Sequence, residues 1–84
     1  MKHFTKPGFW TSYNDLPDPV KKAADKSFRL LKSDPDHPSL RLKPVGRLWS
    51  ARVSLEYRAL AVKDGDNLIW FWIGHHNAYD RIIR

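Results

Sequence analysis

The sequence has no cysteine, which excludes a disulfide framework and a thiolate metal cage. Long apolar runs are also missing. The longest, Leu68 to Ile73, is far short of the roughly 20 residues that span a bilayer. The opening residues Met1-Lys2-His3-Phe4-Thr5-Lys6-Pro7 lack the apolar core of an export signal. A reduced, soluble, cytoplasmic protein that engages no membrane is therefore expected. No internal repeat, low-complexity tract or linker is visible. Nor is there a P-loop, a dinucleotide fingerprint, a nucleophile elbow or a paired-carboxylate motif. Acidic residues are scarce, nine against 15 Lys and Arg, and none cluster as divalent-cation ligands would. His3, His37, His75 and His76 lack zinc-ligand spacing, so neither a metal nor any other cofactor is expected.

What remains is 84 residues with 42% hydrophobic and 13% aromatic content. That length suits one domain, residues 1–84, and that composition supplies a core and argues against intrinsic disorder. So small a chain buries only about 60% of its unfolded surface and depends on a dense core or a partner. The net charge of +6 concentrates polyanions but does not choose among nucleic acids, acidic proteins and membrane surfaces. Its distribution says more. Ser39 to Arg58 holds Arg41, Lys43, Arg47, Arg52 and Arg58 against one anion, Glu56. The cations alternate with apolar residues, which puts them on a shared surface.

Leu16-Pro17-Asp18-Pro19 announces a helix, with Asp18 suited to the N-cap and Pro19 to the first helical position. Val20, Ala23, Ala24, Phe28 and Leu31 recur at helical spacing. Asp18–Lys22 and Asp25–Arg29 are i,i+4 pairs on the polar face. The helix should end near Ser33, before Asp34-Pro35-Asp36-His37-Pro38. Phe9, Trp10 and Tyr13 fit a shorter helix starting near Pro7. Beyond Pro38 the period becomes two. Leu40 to Lys43 reads as a strand bounded by Pro44 and Gly46. Trp49, Ala51, Val53 and Leu55 give a second strand with one buried face, and Tyr57 to Lys63 a third. After the turn Lys63-Asp64-Gly65-Asp66-Asn67, Leu68 to Ile73 is apolar on both faces, the mark of a central strand covered on both sides. The expected class is α+β: two N-terminal helices packed on a small three- to four-stranded antiparallel sheet, with a short C-terminal tail or helix.

Chemistry concentrates at one end of that sheet. Alternation turns Arg52 away from the face that Trp49 helps to bury. Arg58 sits among apolar neighbours, where an unpaired guanidinium is costly. It either pairs with Glu56 or Asp80 or lines a concave site for an anion, and its planar fork suits phosphate. The segment Gly74-His75-His76-Asn77-Ala78-Tyr79-Asp80-Arg81 follows directly on the central strand. A histidine there can exchange a proton near neutral pH. On a continued strand His75 and His76 would face opposite ways, so both would not serve one site. A proton-transfer group, the Tyr79 phenol and Arg81 downstream of an Arg-bearing strand fit cleavage of an RNA phosphodiester. That reaction deprotonates the 2′-hydroxyl, stabilises the phosphorane and protonates the 5′-oxygen.

Three groups of residues carry a resemblance: Phe9-Trp10-x-x-Tyr13-x-x-Leu16-Pro17 with Ala24-Asp25-Lys26-x-Phe28-x-Leu30-Leu31; His37-Pro38-Ser39-Leu40-x-x-Lys43 with Trp49-Ser50-x-Arg52-Val53; and Tyr57-Arg58-Ala59-Leu60-Ala61-Val62 with Trp70-x-Trp72-Ile73-Gly74-x-His76-x-x-Tyr79-Asp80-Arg81. In this order and spacing, over nearly the whole chain, they resemble the RelE/ParE superfamily of toxins from type II toxin–antitoxin modules. The resemblance implies a small antiparallel sheet on two N-terminal helices. It also implies metal-independent, ribosome-dependent cleavage of mRNA and silencing by a cognate antitoxin protein. Arg58 matches the arginine that stabilises the scissile phosphate, and His76 and Tyr79 fall near the C-terminal catalytic histidine or tyrosine of related members. Lys43 and Arg52 match basic sheet positions that hold the RNA backbone, and Arg81 is a further phosphate-binding candidate. In the RelE branch the second basic slot near the C-terminal loop is an arginine, whereas here it reads His75-His76. The acid–base role is thus open between His76 and Tyr79. The ParE branch, similar at this level, acts instead on DNA gyrase, and a non-catalytic member that only binds an antitoxin-like protein is the further alternative.

Overall fold

The computed structural model describes residues 2–83. Strand β1 (His3–Thr5) is followed by helices α1 (Pro7–Asn14) and α2 (Asp18–Ser33) and a short 3-10 turn at Pro38–Leu40. Strands β2 (Lys43–Val45), β3 (Leu48–Arg52), β4 (Tyr57–Asp64) and β5 (Asn67–His75) then lead into helix α3 (His76–Ile82).

Proline at the first turn starts both N-terminal helices, where its missing N–H costs nothing. Asp18 is the first helical residue of α2 and not its cap: Pro17 holds the cap position, and no side chain caps the helix there. The apolar stripe of α2 packs as its spacing requires, with Ala24 and Leu31 buried and Val20 and Phe28 against them. The i,i+4 charges of α2 do not close into ion pairs. Among the described residues the one contact of that kind joins His75 and Glu56, and Asp25 instead accepts a 2.9 Å hydrogen bond from the Tyr13 hydroxyl. That bond, followed by burial and the Asp25 charge, raises the Tyr13 pKa.

The sheet is five-stranded, in the order β1-β5-β4-β3-β2. β2 to β5 are antiparallel, as expected; β1 adds a parallel edge strand on β5, pairing His3 with Leu68 and Thr5 with Trp70. β5 is thereby an interior strand, and Leu68, Trp70 and Ile73 are buried on its helix-facing side, whereas Ile69 and Trp72 on the other side are half-buried and not covered as expected. The strand expected over Leu40 to Lys43 lies later, at Lys43–Val45. The His37 Nδ1 accepts the Ser39 N–H at 3.1 Å and winds Pro38–Leu40 into the 3-10 turn. Arg41 then takes a left-handed φ of 45° before the chain extends. Pro44 is tolerated because β2 is an edge.

Cross-strand partners share a face, so the ladder sorts the side chains. Facing the helices are Trp49–Ala61–Trp70 and Ala51–Ala59–Ile73. With Leu16, Ala24, Leu31, Leu40 and Leu68 these form the core, at about 1.5–3 kcal/mol for each large side chain fully buried. On the other face lie three rows: Leu48–Val62–Ile69–Phe4, Ser50–Leu60–Trp72 and Arg52–Arg58–Gly74. Phe71 is the extra residue of a bulge opposite Leu60 and Ala61, which keeps the two halves of β5 in phase. Second-strand alternation stops at Arg52. Leu55, expected to be buried, is 75% exposed at the tip of the β3–β4 turn. Among the described residues no helix is long and apolar enough to cross a membrane.

Candidate phosphate site at the end of the sheet

Arg52 and Arg58 are direct partners across the β3–β4 ladder, so two guanidinium side chains leave the same face side by side. Adjacent like charges need a counterweight, and here it is backbone. The Arg58 Nη1 donates to the carbonyls of Ser54 (2.8 Å), Leu55 (3.2 Å) and Tyr57 (2.9 Å), and the Arg52 Nε donates to Ser54 (3.4 Å). The turn offers these carbonyls because it is tightly wound, with the N–H groups of Val53 and Ser54 both donating to the Tyr57 carbonyl. The Ser27 hydroxyl ties the Val53 carbonyl to α2 at 3.2 Å.

Neither ion pair considered for Arg58 forms. No carboxylate among the described residues comes within 4.0 Å of it, and Glu56 lies 3.8 Å from the His75 Nε2. Partial burial first, and then the charge of Arg52, lower the Arg58 pKa; Tyr79 raises it, Arg41 lowers it further, and Asp80 raises it. An arginine remains charged through such a shift. Of these groups Arg52 is its direct neighbour across the ladder, while Arg41, before β2, and Tyr79 and Asp80, on α3, act on it through their charges. Lys43 pairs with Ser50 across β2–β3 and so shares this face, one row from the arginines.

The C-terminal residues are placed by the change from strand to helix at position 76. The His75 Nδ1 accepts the Asn77 N–H at 3.2 Å and caps α3, and the His76 N–H donates to the Glu56 carbonyl at 2.8 Å. The His75 ring meets Tyr57 edge-on at 5.4 Å. The expectation that His75 and His76 part to opposite faces fails, because their ring centroids are 4.4 Å apart. A strand turns successive side chains by half a revolution, whereas the first helical turn does not. His76, Tyr79 and Asp80, spaced i, i+3, i+4, share one side of α3, and Arg81 lies off that side. Arg81 is exposed and does not act on Arg58.

Two features of the site were not anticipated. The turn carbonyls that hold Arg58 leave no trace in side-chain pattern. Trp72-x-Gly74 does: a Cβ on Gly74 would stand 2.5 Å from the Trp72 six-membered ring, so that ring lies on the open face over Gly74, the cross-strand partner of Arg58. Among the described residues no group of three or more His, Asp or Glu is gathered as metal ligands would be.

No family model matches the chain, and no curated protein matches it significantly. Solved structures do. The RelB–RelE antitoxin–toxin complex from Methanococcus jannaschii superposes with a TM-score of 0.74 at 13% identity, over 96% of this chain and 99% of the other. The RelBE2 toxin–antitoxin complex from Mycobacterium tuberculosis gives 0.69 at 20% identity, over 88% and 95%. A YoeB/ParE toxin from Agrobacterium tumefaciens gives 0.63 at 18% identity, over 90% and 99%. At these identities the likeness is one of fold. The chain has the fold of the RelE, YoeB and ParE toxins.

Proposed function

We propose that this chain is the toxin of a type II toxin–antitoxin pair and a metal-independent, ribosome-dependent mRNA endoribonuclease. The observation that carries the reading is Arg52 and Arg58 side by side across the β3–β4 ladder, with no carboxylate among the described residues within 4.0 Å of either. A cluster of that kind is stabilised by an anion, and the fork of Arg58 matches a phosphodiester. Its Nη1 is held by the turn, and the Nε–Nη2 edge has no protein partner among the described residues.

In this reading the RNA backbone crosses the open face, with Lys43 and Arg52 on neighbouring phosphates and Arg58 on the scissile one. Attack of the 2′-hydroxyl builds negative charge on the phosphorane, where a preorganised guanidinium contributes most. Tyr79 or His76, which share one side of α3, removes the 2′ proton or protonates the departing 5′-oxygen. Such a step leaves a 2′,3′-cyclic phosphate and a 5′-hydroxyl. Arg81 takes an outlying phosphate. A cognate antitoxin covers the face; the RelE structures from M. jannaschii and M. tuberculosis are complexes with one.

A second reading, a gyrase-binding inhibitor without catalysis, is favoured by one observation: bracing the β3–β4 turn already gives Arg58 a structural task. Induction in a bacterial host, with transcript ends mapped, separates the two. Codon-phased cuts that fall at least a hundredfold with Arg58→Lys or His76→Ala, while both variants stay folded at the assay temperature, support the nuclease. A double-strand-break response without cuts supports the gyrase reading. Variants as toxic as the parent overturn the assigned site.

A further inference from the structure

Of the four tryptophans, Trp10, Trp49 and Trp70 have internal partners. Trp10 donates to the Thr5 hydroxyl, Trp70 donates to the His3 Nδ1, and Trp49 lies under the Lys63 ammonium. Trp72 has none of these among the described residues. Among the described residues its indole N–H has no hydrogen-bond partner and no buried polar side-chain atom lacks one, so that N–H is not buried. Trp72 faces away from the helices, opposite Leu60. Its six-membered ring extends along β5 over Gly74, where any Cβ would strike it. Gly74 pairs with Arg58, and Arg58 with Arg52. Strands are about 4.8 Å apart, so the ring lies over the end of the row from which both arginines project.

We infer that Trp72 is a stacking platform for a nucleobase of single-stranded RNA whose phosphate sits on Arg52 and Arg58. This rests on the phosphate-site reading above and adds to it a base subsite. An aromatic plate flanked by cations on an open sheet face suits one unpaired base, because every base has a π-face and the adjoining phosphate falls on the cations. The N–H on the ring edge is free to meet a base or ribose acceptor. Recognition by stacking is tolerant of sequence, so the subsite selects single strands over duplexes more than one base over another.

The test compares a short uridine oligoribonucleotide with an abasic ribose-phosphate chain of the same length, binding to the parent protein, Trp72→Ala and Trp72→Phe. The parent should bind the base-bearing chain about ten-fold tighter than the abasic one. Trp72→Ala should close that gap without changing the salt slope. Trp72→Phe keeps a plate and should bind nearly as the parent does, while losing most of the tryptophan fluorescence quenching. Arg52→Gln should weaken both chains alike and make the salt slope shallower by about 0.7. Equal binding of the two chains by the parent would overturn the platform and leave the phosphate site standing. Absence of salt-dependent binding by either chain would overturn the phosphate site, and the platform with it.

Discussion

On Arg58 the guanidinium has two edges: Nη1 fastens the β3–β4 turn, and the Nε–Nη2 edge, which has no hydrogen-bond partner among the described residues, is the one the proposed reading gives to the scissile phosphate. Arg58→Lys keeps the charge and removes the fork. It should lower cleavage by about 10²–10³, measured as the single-turnover rate, while costing the fold only about 1 kcal/mol for the lost turn bonds. Gly74 is the other constrained position. Gly74→Ala drives a Cβ into the Trp72 ring and should destabilise by about 1–3 kcal/mol in urea. In the Trp72→Ala background the same substitution should cost much less, since the pair is coupled through one contact. His3 gives a pH dependence. Burial, followed by the charges of the N-terminus and Lys32, lowers its pKa from 6.5, and its Nδ1 accepts the Trp70 indole N–H. The folded state therefore favours the neutral ring. Its contribution is fully present above about pH 6.5 and is lost as acidification protonates the unfolded chain first. Melting temperature should fall as pH drops below that value, and less steeply in His3→Gln.

Among the elements, the helices were legible because proline starts and a 3.6-residue stripe act locally: Pro7, Pro19 and the run from Val20 to Leu31 need no tertiary information. β5 was legible for a similar reason, its apolarity on both faces requiring a central place. β1 was not, since three residues with no alternation of their own become a strand only through pairing with Leu68 to Trp70. β2 was displaced because the His37 cap and the left-handed Arg41 consume the residues that looked like its start. At the site, alternation alone turned Arg52 away from the buried face, whereas its side-by-side pairing with Arg58 and the row of Lys43 depend on the cross-strand register. The proximity of His75 and His76 was not legible either, because it depends on where strand becomes helix. The cap made by His75 belongs to this scale. His75→Ala removes the acceptor for the Asn77 N–H and should speed amide exchange across α3, destabilising it by about 1 kcal/mol without shifting the β4–β5 register.

For the whole molecule, fifteen cations against nine anions matter through their arrangement. Helices α1 and α2 cover one sheet face with the core, and the opposite face carries an apolar row at one end and arginines at the other. An open face with that division suits a partner that is apolar in one part and anionic in another, which an antitoxin segment or an RNA strand with exposed bases both provide. The most direct measurement is cleavage of mRNA on programmed ribosomes by the purified chain, with product ends identified. The account predicts cuts at one codon position leaving a 5′-hydroxyl, reduced by at least a hundredfold in Arg58→Lys and abolished by saturating antitoxin. No cleavage by the parent chain, or cleavage that Arg58→Lys leaves undiminished, would contradict it.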